Sequence, residues 1–247
     1  MTRTVLLVLA CGLACAVAAV ALMPARVFHA LVLQPRGIEA AQITGTVWNG
    51  QWHDLRLGAA RLTHLEGALH GTSLLRGRAV LQVRLSDPRG RGEGRMILAD
   101  GSVTLQDVSG RIVPAGLVPL AGPARAVLAE PVIFSEVQAR FGPRGCETAS
   151  GAVRFAGLLA LDAQGGGSLP VLDGALECAG SLPAIRFAGE TADVRISGHV
   201  RFGAGSAAWS LESQPRTDTI TMALYAMGFE DSGDGLRADG QAGWSLR

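Results

Sequence analysis

The side chains that could carry chemistry in this chain of 247 residues are five histidines, four cysteines and 21 carboxylates. Their spacing sets no catalytic task. His29, His53, His64, His70 and His199 are scattered, and His64 and His70 stand six positions apart with no nucleophile–histidine–carboxylate arrangement around them. His199 falls on the polar side of an alternating segment, where a solvated imidazole is the ordinary outcome. There is no Gly-x-Ser-x-Gly elbow, no His-Glu-x-x-His helix, no phosphate loop and no dinucleotide-binding glycine fingerprint. Asp and Glu occur singly, as on a solvated surface. The chain therefore reads as a non-enzyme: no catalytic residue, no cofactor-binding residue and no metal ligand is assigned.

The cysteines divide into two pairs. Cys11 and Cys15 lie inside an apolar run, where a thiol serves as small apolar filler. Cys146 and Cys178 are the only two beyond it. Two cysteines alone do not make a zinc site, and no histidine pair stands at ligand spacing nearby. An isolated pair in an exported domain points to a disulfide. It would close a loop of about 33 residues, worth roughly 3–4 kcal/mol by the chain-entropy account. Two unrelated buried thiols are the other reading.

The elements that must position these residues begin with the strongest signal in the chain. Thr4 to Met23 runs without a charge and is almost entirely Val, Leu, Ala, Gly and Cys. As a helix it spans roughly 30 Å, the thickness of a bilayer core. A cleaved signal peptide is the rival reading, but its apolar region is usually about 7–15 residues long. A lipoprotein reading at Cys11 fits less well, because the apolar stretch before it is too short. The expectation is a retained single-pass anchor with the N-terminus in the cytoplasm and the main domain in the periplasm. Arg3 supports that orientation, Arg26 and Arg36 weaken it, and the cysteine pair decides for it. There is no Lys, and with Arg3 set aside the remaining 21 arginines balance the 21 acidic residues. A neutral body of this kind has no pull on nucleic acid.

Beyond the anchor the apolar period is mostly two, as in strands. In Val194–Phe202, Val194, Ile196, Val200 and Phe202 take one side and Arg195, Ser197, His199 and Arg201 the other. Leu81, Val83 and Leu85 alternate in the same way, and Ile220, Met222 and Leu224 read as another strand. Asp100-Gly101 is a hairpin turn between Ile97 and Val103. With 33 glycines breaking the runs, the fold class is mainly β: one N-terminal transmembrane helix, then an antiparallel, curved β-meander. The organisation is an anchor over 1–26 and a first β-rich part over 27–113. A Pro-rich connector over 114–131 and a second β-rich part over 132–247 follow. Pro114 to Pro131 lacks alternation, and Ala124 to Glu130 suits two helical turns behind Pro123. Ala163 to Ser168 reads as a flexible loop.

The last distinctive element is Gly45-Thr46-Val47-Trp48-Asn49-Gly50, followed by Gln51-Trp52. Thr46 to Trp48 reads as a short strand and Asn49-Gly50 as a hairpin turn, with both tryptophans as sheet-packing aromatics. Together with Leu22-Met23-Pro24-Ala25 after the span, Leu74-Leu75-Arg76-Gly77, and the cysteine pair in a β-rich half, this element resembles type II secretion system protein N. The Trp that the family often carries near Leu65 is absent. The resemblance implies an inner-membrane accessory subunit of the machinery that exports folded periplasmic proteins across the outer membrane. It would act by binding other inner-membrane or periplasmic subunits. The alternative is a membrane-anchored sheet that handles or transfers lipid. A lipid trough needs Val, Leu and Phe exposed along one face, whereas a scaffold covers that face with its own elements.

Overall fold

The computed structural model describes residues 18, 21–36, 38–57, 60–116, 127–160, 168–203 and 205–243. They form one 14-stranded antiparallel sheet. In chain order the strands are β1 (Ile38–Thr46), β2 (Asn49–Leu57), β3 (Ala60–Leu69), β4 (Ala79–Asp87), β5 (Gly90–Ala99), β6 (Ser102–Ile112) and β7 (Val132–Gly142). They continue as β8 (Gly145–Phe155), β9 (Leu172–Ala179), β10 (Leu182–Glu190), β11 (Val194–Gly203), β12 (Ser206–Pro215), β13 (Glu230–Asp231) and β14 (Leu236–Gly243). Each strand lies beside its sequence neighbour as far as β12; β14 then follows β12, and the two-residue β13 lies outside β14. The connector after β6 returns the chain to pair β7 against it, so the two groups of strands share one sheet. Asp100 and Gly101, with φ of 50° and 70°, make the tight turn between β5 and β6.

The alternation seen in the sequence becomes one continuous apolar face. Directly opposed residues form a row from Ile43 and Trp52 through Leu65, Leu85, Gly92 and Gly110 to Phe134 and Val153. The row runs on through Gly174, Phe187, Gly198 and Leu211 to Ala238. Aromatic rings pack against glycines of this face. A Cβ on Gly110 would come within 3.0 Å of the Phe134 ring, one on Gly198 within 3.1 Å of Phe187, and one on Gly67 within 2.9 Å of Trp52. Ring-over-glycine pairs of this kind pin strand register, because a one-residue slip would turn every ring to the polar face. Three acidic residues within strands, Asp54, Asp107 and Glu136, take φ of 50°, 51° and 52°. Each resets the phase of its strand. Trp52 and Leu55, Leu105 and Val108, and Phe134 and Val137 thereby share the apolar face despite odd spacing.

Helices cover this face at its two ends. Near the C-terminus, α3 (Asp218–Ala226) packs Ile220 and Leu224 onto Leu169, Leu172, Val194, Ile196, Phe229 and Leu236. Full burial of a Leu or Ile side chain contributes about 1.5–3 kcal/mol, so this cluster is a large contribution to stability. The strand expected at Ile220–Leu224 is therefore a helix. Ile220 and Leu224 are four apart and lie on one helical face, and the Thr217 hydroxyl accepts from the Ile220 N–H to cap the first turn. At the other end, α1 (Ala25–Phe28) continues through a π turn (His29–Leu33) and a 3-10 turn (Gln34–Arg36). It covers Trp52 and Leu55, with Phe28, Leu33, Ile43, Leu62 and Leu65 around them. Between the two caps, Leu81, Val83, Met96 and Leu105 are half-buried and Leu98 is 42% exposed.

Ahead of α1, the Leu22 N–H donates to the Ala18 carbonyl at 2.9 Å, a helical bond. The rest of the expected anchor up to Val20 lies outside the described residues. Among the described residues no helix is long and apolar enough to cross a membrane. Of the helix expected at Ala124–Glu130, residues 124–126 lie outside them, Val127 and Leu128 are helical, and Ala129 and Glu130 form a turn and a bend; the loop expected at Ala163–Ser168 lies outside them up to Gly167.

Candidate functional site

The element Gly45–Gly50 lies where the N-terminal segment meets the sheet. Its turn is Val47-Trp48, with Thr46 opposite Asn49 and Gly45 opposite Gly50. Asn49 and Gly50 thus open β2 and do not form the turn. The residue with positive φ is Gly45, at 81°. A Cβ there would collide with the Asn49 carbonyl oxygen at 2.1 Å, so only glycine closes this hairpin. Gly50 has a different task. A Cβ on it would meet the Trp52 ring at 2.8 Å and the Ala25 methyl at 3.1 Å, so its bareness lets α1 sit down on β2. Ala25 is fully buried as a result. The Val47 N–H donates to the Met23 carbonyl at 3.0 Å, and Pro24 bridges to Thr46. The hairpin tip is thus fastened to the chain just as it leaves the apolar run.

The two tryptophans part company here. Trp52 is buried against Gly50 and Gly67. Trp48 is half-buried at the tip and faces Gly71, in the short helix α2 (Gly71–Leu74) of the β3–β4 connection. Beside α2 an open depression is lined by His70, Thr72, Ser73, Val80, Gln82 and Arg95.

Cys146 and Cys178 are joined by a disulfide, with Cα atoms 5.7 Å apart. Its position follows from the ladder. β8 and β9 pair only over Ala152–Phe155 and Leu172–Ala175, and the bond links the ends that lie beyond. The Cys146 N–H also donates to the Ser181 carbonyl at 2.8 Å, in the turn between β9 and β10.

Further polar arrangements were not visible in the sequence. Asp87 is buried at the end of β4 and accepts the Thr63 N–H at 2.5 Å and the Arg89 N–H at 2.8 Å. Burial pushes its pKa up, but the hydrogen bonds from Thr63 and Arg89 outweigh that and hold it below the usual carboxylate value. On the polar face His53 and His64 meet Nδ1 to Nδ1 at 3.2 Å, so one ring donates and the other accepts. His64 Nε2 lies 3.1 Å from Glu66; in the neutral tautomer that donates to this carboxylate, Nδ1 of His64 is the acceptor toward His53. Among the described residues no group of three or more His, Cys, Asp or Glu is arranged to hold a metal ion. The remainder of the polar face carries exposed ion pairs, including Arg84–Glu93, Arg140–Glu147 and Arg186–Glu177, and Glu190 held between Arg195 and Arg216. His29, under the N-terminal cap, is buried with its Nδ1 unpartnered, and burial lowers its pKa.

What these residues build is a junction and a surface. The motif glycines shape a hairpin and seat a helix, and the disulfide extends a ladder that stops short. No curated protein and no solved structure matches this chain. A family model does, over residues 36–238, from just before β1 into β14: type II secretion system (T2SS), protein N. The chain belongs to the type II secretion system protein N family.

Proposed function

We propose that this protein is a non-enzymatic accessory subunit of the type II secretion machinery, held in the inner membrane and acting by protein–protein binding. Thr4–Met23 crosses the membrane once, with the N-terminus in the cytoplasm and the sheet in the periplasm. The observation that carries this reading is the family match, which takes in nearly the whole sheet. The fold supports it: a long sheet fastened at one end to the exit of an uncharged run of bilayer length is suited to presenting a surface to neighbouring subunits. The Cys146–Cys178 bond fits an oxidising compartment. Its partners are other subunits of the machinery in the inner membrane or periplasm, and no cofactor takes part. The test is affinity capture of the full chain from crosslinked membranes. Other subunits of the secretion machinery should be enriched over unrelated inner-membrane proteins; equal recovery of both classes would contradict the proposal.

A second reading, lipid handling, is favoured by one observation. The apolar row runs unbroken from Ile43 to Ala238, and between the helical caps Leu98 and its neighbours are only partly covered. A bound acyl chain on this face would make the purified protein carry phospholipid at a fixed ratio. Lipid-free protein that gains no protection of β4–β6 from hydrogen exchange on adding phospholipid would remove this reading.

A further inference from the structure

The connection between β3 and β4 holds apolar side chains out in the open. Residues His70–Arg78 close on themselves: the Ser73 N–H donates to the His70 carbonyl, those of Arg76 and Arg78 to the Ser73 carbonyl, and that of Gly77 to the Leu74 carbonyl. This hydrogen-bonded turn holds two consecutive leucines outward. Leu75 is 90% exposed and Leu74 41%, with Arg76 and Arg78 directly after them. The loop is not isolated. A Cβ on Gly71 would come within 3.2 Å of the Trp48 ring, and Trp48 sits in the turn whose Val47 N–H is bonded to Met23. Leu22, the last leucine of the uncharged run, is 71% exposed at the same end.

We propose that this end of the sheet rests in the membrane interface, with Leu74 and Leu75 dipping among the lipids and Trp48 at headgroup level. The occupant is a lipid surface because of where the chain goes. The uncharged run Thr4–Met23 ends against this turn, so a span in the bilayer brings Trp48 and the His70–Arg78 loop down to the membrane. An apolar tip, an aromatic ring and flanking arginines match the layers of a bilayer surface in order of depth. Charge agrees: Ala21–Ile38, Ala40–His53 and Gly67–Ser86 contain no Asp or Glu, while Arg26, Arg76 and Arg78 are exposed for anionic headgroups. This contact would add a second hold to the anchor and fix the tilt of the sheet over the membrane.

This inference rests on the anchored reading, and the experiment separates the two. The full chain carrying Cys11→Ser and Cys15→Ser is placed in vesicles of phosphatidylethanolamine and phosphatidylglycerol. An environment-sensitive dye is attached in one variant at Leu75→Cys and in another at Met222→Cys, on the exposed side of α3 at the opposite ends of the strands. The dye at Leu75 should emit to the blue of the dye at Met222, and lipids spin-labelled near the headgroup should quench it several-fold more strongly. Protein retained after an alkaline wash, but with both dyes equally water-exposed, overturns the loop contact and leaves the anchor standing. A dye at Leu75 that is blue-shifted but unquenched by spin-labelled lipid means that protein covers the loop, which also overturns it. Protein released by the alkaline wash overturns the anchor and the loop contact together.

Discussion

The two ends of the sheet bury the same apolar face by different means. At the C-terminal end eight buried side chains interlock, with α3 supplying Ile220 and Leu224. At the N-terminal end, among the described residues, the apolar cluster has three buried members, Ala25, Trp52 and Leu55, and Trp52 is the largest of them. Its ring lies across two glycines, and α1 comes down on the same spot through Ala25. A distributed core tolerates local loss, whereas a core built on one ring does not. The end nearest the apolar run is thus the one whose order hangs on a single contact, and the far end is the one that holds the fold.

The largest expected effect tests that contrast directly. Trp52→Ala should cost about 3–5 kcal/mol, the range for removing a buried aromatic. By hydrogen exchange the loss should be confined to residues 25–36 and β1–β3, with β9–β14 keeping their protection. Equal loss at both ends would break the comparison. The cysteine pair comes next. Cys146→Ser with Cys178→Ser should cost about 2–4 kcal/mol, and the effect should fall on β8–β10. Thiol labelling of denatured, unreduced protein should leave both cysteines blocked in the natural chain.

Asp87 lies at the seam between the N-terminal hairpins and the centre of the sheet. Asp87→Ala strips a partner from two N–H groups and should cost about 1–3 kcal/mol. Its folded pKa is below the unfolded value, so its stabilisation is present above an unfolded pKa of about 3.9 and fades as pH falls through the folded one. Acid unfolding curves of the natural protein and of Asp87→Ala should therefore converge below that pH; curves that stay parallel would contradict this role. The smallest effect belongs to Trp48→Ala. Half-buried at the hairpin tip against Gly71, Trp48 should cost about 1 kcal/mol, the ordinary cost of a single substitution and well below that of a fully buried ring. A loss equal to that of Trp52→Ala would show that the tip belongs to the core.

The strand pattern was legible in the sequence because one face of the sheet is apolar throughout, so Val194–Phe202 and Leu81–Leu85 alternate cleanly. It failed where two periods coincide. Ile220, Met222 and Leu224 alternate, yet Ile220 and Leu224 also stand one helical turn apart, and Thr217-Asp218 ahead of them is a helix cap. Asn49-Gly50 looked like the hairpin turn because that pair so often is. The register instead follows Gly45, whose lack of a side chain is the harder constraint. The phase resets at Asp54, Asp107 and Glu136 left no mark, since an acidic residue with positive φ reads as a surface position. Asp87 was hidden for another reason: its partners are backbone N–H groups, one of them from Thr63, 24 residues earlier.

The central claim is that the sheet works from the membrane, by position and binding. It is tested most directly by replacing Thr4–Met23 with a cleavable export signal in cells that lack the natural protein. The freed domain should accumulate in the periplasm with its disulfide formed, while folded substrates of the type II pathway remain inside the outer membrane. Secretion at the level supported by the anchored chain would contradict the account.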